Sequence, residues 1–421
     1  MSALNKIKPF LHQILSNKVL EILLLSSFFF LPLSLFFNNL FFTVFFVAFN
    51  LRLLVFESNT LLNSLQQNKI PIVIYCGPIL LALLGCFYTD NLNGAFKDIG
   101  RLFPLIFTIP LVFNNPHFFS LILKKIMYAL ALGCLVAAIY CWGISIGDIF
   151  HNNDSITDLF SQSYAYHYLS ARIGMHTPYL GLFVSSSVFY LILEVIDKPW
   201  KGKNGFKILW VSILFLFLLN LLARTAIFSL VVGVITLFLI KRKYAYLIIT
   251  IALLSTLASL AYFQDHNFLR DRIFKSVNIF EEQSIFSKKD DRFNRFSASI
   301  EVFKEFPLIG PGTAAEDRYR KEIYFKNRDS EAFNENYNAH NQFLEYISTY
   351  GLLGGMVFLG ILMLLIKEAW YSKNSMVVFL IASFILAGLT ESILERSWGV
   401  SFYILVLFFI YGQKKLRYET A

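Results

Sequence analysis

Ile22 to Phe37 reads ILLLSSFFFLPLSLFF, a stretch without a single charge. As a helix, about 17 to 25 such residues cross the roughly 30 Å of hydrocarbon in a bilayer. Comparable apolar blocks recur along the chain at 19–37, 40–56, 71–88, 98–114, 126–145, 176–195, 208–222, 226–240, 244–262, 351–366, 375–391 and 398–412. Short polar stretches separate them, and the expected fold class is all-α: a polytopic membrane protein of about 12 transmembrane helices. Barrel strands would instead alternate over about 10 residues. The composition agrees. Of 421 residues, 56% are hydrophobic, 46 are Phe and only 15% are charged, against about 25% charged in a soluble domain. Mean hydropathy is +0.58, which excludes a single water-soluble core and a disordered chain. Cys76, Cys86, Cys134 and Cys141 all lie in apolar blocks, with neither disulfide nor zinc spacing, and read as small buried side chains.

A net charge of +9 would suit a nucleic-acid partner in a soluble protein, but here the charges follow the bilayer. With the N-terminus in the cytoplasm, every inside segment carries a base: Lys6 and Lys8, Lys69, Lys124 and Lys125, Lys198 to Lys207, Lys241 to Lys243, Lys367 and Lys373, and Lys414 to Arg417. The short outside loops hold only Lys97, Arg101, Arg172, Arg224 and Arg396. The positive-inside rule therefore places both termini in the cytoplasm. The first span has no small-residue cleavage site after it and is expected to stay as an anchor.

Two polar stretches interrupt the pattern on the outer side, 146–175 and the longer 263–350. The chain divides accordingly into helices 1–9 at 1–262, a large outer loop at 263–350, and helices 10–12 with a cytoplasmic tail at 351–421. The loop holds similar numbers of acids and bases, so it is no basic groove for a polyanion, and no nucleic-acid partner is expected. Within it, Phe296, Ile300, Phe303 and Phe306 recur at helical spacing, which predicts an amphipathic helix on the membrane surface, ended by Pro307 and Gly310-Pro311-Gly312.

Four groups of residues in the outer stretches can carry chemistry. Arg224 sits between two spans joined by almost no loop and is either a snorkelling arginine or a fixed cation for an anionic headgroup. Arg292 and Arg295 lie one turn apart, so both can face one way. His340, in YNAHNQFLEY from Tyr337 to Tyr346, stands at the start of a span; a histidine there is either structural or a general base. Arg172 and His176, in SARIGMHTPY, either shape the start of a helix or help to line a site. No second histidine at helical spacing and no spaced carboxylate motif points to a metal, and no cofactor is expected.

The order of these pieces resembles the O-antigen ligase and polymerase superfamily of bacterial inner membranes. The strongest match runs from Arg292 through Phe306-Pro307-Leu308-Ile309-Gly310-Pro311-Gly312 to His340-Asn341-Gln342-Phe343-Leu344-Glu345, Gly351 and Gly354. Weaker matches are Arg224, His176-Thr177-Pro178-Tyr179 and Thr390 to Arg396. The family often has Ser where this chain has Ala223, and Trp where it has Phe296. The resemblance implies a GT-C-like glycosyltransferase of the inner membrane with its site facing the periplasm. It implies metal-independent, inverting transfer of a glycan from undecaprenyl diphosphate to a sugar hydroxyl of lipid A-core. It also implies His340 as the base, with Arg224 and Arg292 on the diphosphate. Arg172 and Arg295 are further candidates there, and Asn341 and His176 are supporting residues.

A ligase is the first expectation, and a polymerase joining repeat units on the same carrier is the alternative. A secondary transporter or lipid flippase is the reading from another class; it would place charges mid-span and repeat its halves, and neither feature is apparent.

Overall fold

The computed structural model describes residues 15–56, 65–197, 204–263 and 291–419. Among these residues the regular elements are all helical. The chain opens with α1 (Asn17–Phe30) and α2 (Leu35–Phe56), then α3 (Lys69–Tyr75), α4 (Gly77–Gly85), α5 (Leu92–Leu102), α6 (Pro104–Asn114) and the long α7 (Pro116–Asn152). Next come α8 (Tyr166–Ala171), α9 (Thr177–Ile196), α10 (Asn204–Leu221), α11 (Arg224–Ile240) and α12 (Tyr244–Phe263). After the long loop begin α13 (Asp291–Glu305), α14 (Glu316–Lys326), α15 (Ser330–Glu335), α16 (Gln342–Tyr371), α17 (Ser375–Thr390) and α18 (Ser397–Glu419). The helices form two compact units, one of residues 1–130 with 291–421 and one of residues 131–290.

By length and apolar composition, α2, α7, α9 and α16 can each cross a membrane, and shorter apolar helices cover Gly205–Leu221, Arg224–Ile240, Ser375–Thr390 and Ser397–Gln413. Two blocks expected as single spans are divided. The block 71–88 is α3 and α4, and the block 98–114 is the end of α5 followed by α6. Proline is the reason in both: Pro78 and Pro104 each stand in the first turn of the second helix, where a missing N–H costs nothing and a preceding helix must stop. The first piece of the second block is also polar, because Asp98 and Arg101 pair at 3.0 Å.

Each unit is built around a helix apolar on every side, which only full enclosure or lipid can satisfy. In the first unit this is α18, whose residues Val400 and Phe402 to Tyr411 are buried. Phe408 meets Phe28 and Phe119, with ring centroids 6.2 and 4.5 Å away, and Tyr403 stacks on Phe384 at 5.2 Å. In the second unit it is α9, buried from Tyr179 to Leu191.

The described part of the outer loop packs in the first unit. The expected amphipathic helix forms as α13, but it turns Arg295, Ala298, Ser299 and Val302 inward and leaves Ile300 exposed and Phe296 and Phe303 half-buried. Small residues face the core because α13 lies close against α16, and Ala298 and Val302 join Ile323, Tyr324 and Ala332 in a small apolar cluster.

Gly351 breaks α16 with φ +59° and ψ −151°. The amides freed by this break bond back to the segment after α13: Leu352 N–H donates to Pro307 O at 2.8 Å, and Leu353 N–H to Leu308 O at 3.3 Å. A Cβ at Gly351 would lie 2.5 Å from the Leu308 carbonyl carbon. Gly310, at φ +68°, would put a Cβ 2.1 Å from Thr349 O. These glycines let two backbones touch.

Gly351→Ala is expected to lower the melting temperature of the detergent-solubilised protein by several degrees, because a left-handed Cβ costs about 1–2 kcal/mol before any clash is counted. Gly360→Ala is the control: its Cβ would sit an ordinary 3.6 Å from Ile74 Cγ2, so it should be neutral or stabilising.

Candidate active site

Asn341 caps the N-terminus of α16. Its Oδ1 accepts from Leu344 N–H at 3.0 Å and its Nδ2 donates to Leu389 O at 3.1 Å, which ties this helix start to the end of α17. The preceding residue, His340, has φ +47°, a left-handed conformation that costs a residue with a Cβ energy and that its surroundings must enforce. They do so on both sides. His340 N–H donates to Asn338 Oδ1 at 3.1 Å, and Ala339 N–H donates to Glu345 Oε2 at 2.8 Å.

The ring of His340 is thereby fixed. Its Nδ1 lies 3.1 Å from Glu391 Oε2, and the two side chains are 20% and 17% exposed, so the pair reaches solvent. A carboxylate at Nδ1 holds the proton there and leaves Nε2 as the basic nitrogen. The other face of the site is aromatic: the His340 and Tyr337 rings meet edge-on at 5.8 Å, and the Arg295 guanidinium lies 3.9 Å above the Tyr337 ring. Tyr337 is held by Tyr324, whose hydroxyl donates to Tyr337 O at 3.1 Å. Burial pushes the Tyr324 hydroxyl up to about 12, so it remains a donor at neutral pH. Arg295 is 9% exposed, has no carboxylate within ion-pair distance among the described residues, and its buried Nε lacks a hydrogen-bond partner. A buried cation with no counter-ion among the described residues, one ring from a histidine, is arranged to receive an anion.

Beneath this surface lies a buried charge cluster. Arg320, 1% exposed, pairs with Glu345 Oε1 and Asp317 Oδ1, both at 2.7 Å, and with Glu316 Oε1 at 3.5 Å. Glu345 uses its other oxygen for Ala339 N–H and for Ser392 O–H at 3.0 Å. Those two residues adjoin His340 and Glu391, so one carboxylate holds the flanks of both members of the histidine pair. Burial pushes the Glu316 carboxyl well above the usual carboxylate range. Nearby, Arg101 Nη2 pairs with Glu395 Oε2 at 2.8 Å and its Nη1 donates to Glu395 O at 2.6 Å.

The first unit thus brings together His340, Asn341 and Arg295 from the sequence reading and adds Glu391, Tyr337, Glu345 and Arg320. Glu391 lies 51 residues from His340, a separation over which no local pattern reports contact. Arg292 is in the first turn of α13, and its side chain lies outside the described residues.

The second unit holds Arg172, His176 and Arg224. Arg172 ends α8 and pairs with Asp148 Oδ2 at 2.5 Å. His176 caps α9 from an exposed position, with its ring 6.3 Å from that of His167. Arg224 opens α11 and is exposed. Its hairpin is tight because Leu222 takes φ +51° and Ala223 packs on α9, where a Cβ at Gly181 would come within 2.3 Å of the Ala223 Cβ.

Fold and site together define a multi-pass helical membrane protein whose polar centre is assembled from the loops between its apolar helices. Residues 209–359 match the family model described as O-antigen ligase, so this stretch is a domain of that superfamily. The match spans Arg224, Arg292, Arg295 and His340. No curated protein sequence matches the chain.

Burial, opposed by Arg101 and aided by Asp98, pushes the Glu395 carboxyl up to about 8 from an ordinary 4.5. A carboxyl raised on folding takes up a proton as the chain folds. Its contribution is complete below pH 4.5 and is lost as pH rises through 8. The melting temperature is therefore expected to fall between those limits, and Glu395→Gln should flatten the profile.

Proposed function

We propose that this protein is an O-antigen ligase, transferring a glycan from undecaprenyl diphosphate to a sugar hydroxyl of lipid A-core. The observation that carries the reading is the pairing of His340 Nδ1 with Glu391, which leaves Nε2 basic, beside a buried Arg295 that lacks a counter-ion among the described residues. A sugar hydroxyl attacks poorly until a base accepts its proton. In the proposed step that proton passes to His340 Nε2 while the hydroxyl oxygen bonds to the anomeric carbon from the face opposite the leaving group, which inverts the sugar. The bond from that carbon to the phosphate oxygen breaks, and undecaprenyl diphosphate departs with the electron pair. Negative charge grows on the diphosphate, and fixed cations stabilise it. Arginine suits that role, because its charge is permanent and its fork matches phosphate oxygens, so no metal ion is required.

By the family resemblance, Arg292 and Arg224 are assigned to the diphosphate, and Arg295 is a further candidate. Arg172, which pairs with Asp148, is another. Asn341 and His176 are supporting residues, shaping the helix starts on which the site is built. The proposed setting is the bacterial inner membrane, with twelve crossings in a GT-C-like arrangement, both termini in the cytoplasm and the loop 263–350 in the periplasm.

The test is a lipopolysaccharide gel of cells lacking the gene, complemented with wild type or His340→Ala. Core alone, with polymer still on undecaprenyl diphosphate, is the expected phenotype of the deletion and of His340→Ala. Core capped by a single repeat would show a polymerase instead, and an unchanged ladder would defeat both readings. With purified protein, His340→Ala should slow transfer about a hundredfold or more. Arg295→Ala should slow it about ten- to a hundredfold and Arg295→Lys less, because lysine keeps the charge and loses the fork.

A further inference from the structure

Outside the histidine site, the outer surface of α14 and α15 carries a groove of about 640 Å³. Two aromatic rings line it, Phe325 and Phe333, with centroids 5.9 Å apart and planes inclined at 52°. Phe325 is 72% exposed on a helix otherwise rich in charge. What sets Phe325 apart is that it shares the groove with Phe333, so the two rings form an apolar floor inside a charged rim. Around the rings stand donors (Lys321, Lys326 and Arg318) and acceptors (Glu322 and Asp317).

We propose that this groove binds a saccharide, and specifically one bearing anionic substituents such as phosphate or carboxylate. Rings that can cover the apolar face of a pyranose, surrounded by both donors and acceptors, match a ligand whose hydroxyls each donate and accept. A bilayer surface would call for cations and apolar groups without the carboxylates. The preference for an anionic sugar comes from how the charges are spent. Asp317 is engaged by Arg320 at 2.7 Å and Glu322 by Arg318 at 3.4 Å. Lys321 and Lys326, by contrast, have no ion-pair partner among the described residues, and Lys321 Nζ lies 6.0 Å from the Phe333 ring centre. Arg318 is itself shared between Glu322 and Asp90, the latter at 3.0 Å, so Lys321 and Lys326 are the cations on the groove wall left to meet an anionic substituent.

The groove also adjoins the histidine site along the chain. Asn336, on its wall, immediately precedes Tyr337, the ring between Arg295 and His340. On the ligase reading, on which this part rests, a glycan held here would approach the base from the loop side. Acceptor core and donor glycan share this chemistry, and the experiment separates them.

The full-length protein in detergent would be titrated with delipidated phosphorylated core oligosaccharide, with the same oligosaccharide after phosphatase treatment, and with the free repeat-unit glycan. Saturable binding is expected, weakened about tenfold by Phe325→Ala. In Lys321→Gln/Lys326→Gln, the advantage of the phosphorylated ligand over the dephosphorylated one should disappear. These positions are on the surface, so the variants should melt with the wild type. Preferential binding of core would mark an acceptor site, and preferential binding of the repeat unit a donor site. If no oligosaccharide binds, or if Phe325→Ala binds as well as wild type, the proposal fails. The two readings fail separately: groove binding with an unchanged cellular ladder defeats only the ligase, while ligation unaltered in KM by Phe325→Ala defeats only the groove.

Discussion

The buried ion pair between Arg320 and Glu345 holds the site together. Both side chains are 1% exposed, and such buried charges persist only when paired: Glu345 is met by Arg320, and Arg320 by Glu345, Asp317 and Glu316. Removing one partner from such a pair costs about 3–5 kcal/mol, enough to undo a marginally stable fold. The pair also does more than stabilise. Because Glu345 has two oxygens, it binds Arg320 with one and, with the other, the backbone before His340 and the side chain after Glu391. A carboxylate sequestered from water is a rigid acceptor, so the geometry of the exposed pair is set from beneath.

The left-handed backbone of His340 fits that arrangement. Strain at one residue persists where neighbouring bonds over-determine it, and here Asn338, Asn341 and Glu345 all hold the turn. The glycines of the same region serve the same end at larger scale. Gly310 and Gly351 let the segment after α13 lie against the break in α16 with backbone touching backbone, which brings Arg295 on α13 to Tyr337. A long apolar helix that breaks at its polar end is a means of passing from the membrane-like part of the fold to the site.

Much of this was legible in the sequence, and some was not. The apolar blocks announce an all-helical membrane protein because a backbone in hydrocarbon must pair its own hydrogen bonds in helices or a closed barrel, and barrel strands would alternate where these blocks are continuously apolar. His340, Arg292 and Arg295 are conspicuous in the sequence as a histidine and paired arginines in a polar loop between apolar spans, but nothing local ranks Arg295 above Arg292 or Arg224. The divided blocks at 71–88 and 98–114 were hidden because hydropathy is blind to chain direction, although Pro78 and Pro104 mark the breaks. The face that α13 turns into the fold was not legible, because it is made of Arg295, Ala298, Ser299 and Val302, and only the packing of α13 against its neighbours shows that they are buried.

The sequence by itself determined the solvent in which this chain folds, its helical class, the family of residues 209–359 and the identity of the charged groups, since these depend on composition, order and local spacing. Only the tertiary structure decided the partners. That Glu391 pairs with His340, that Arg320 is a buried strut, and that Arg172 is already neutralised while Arg295 finds no carboxylate among the described residues all depend on contacts between segments distant in the chain. Charge is a property of a residue, but whether it is spent or available is a property of what packs around it.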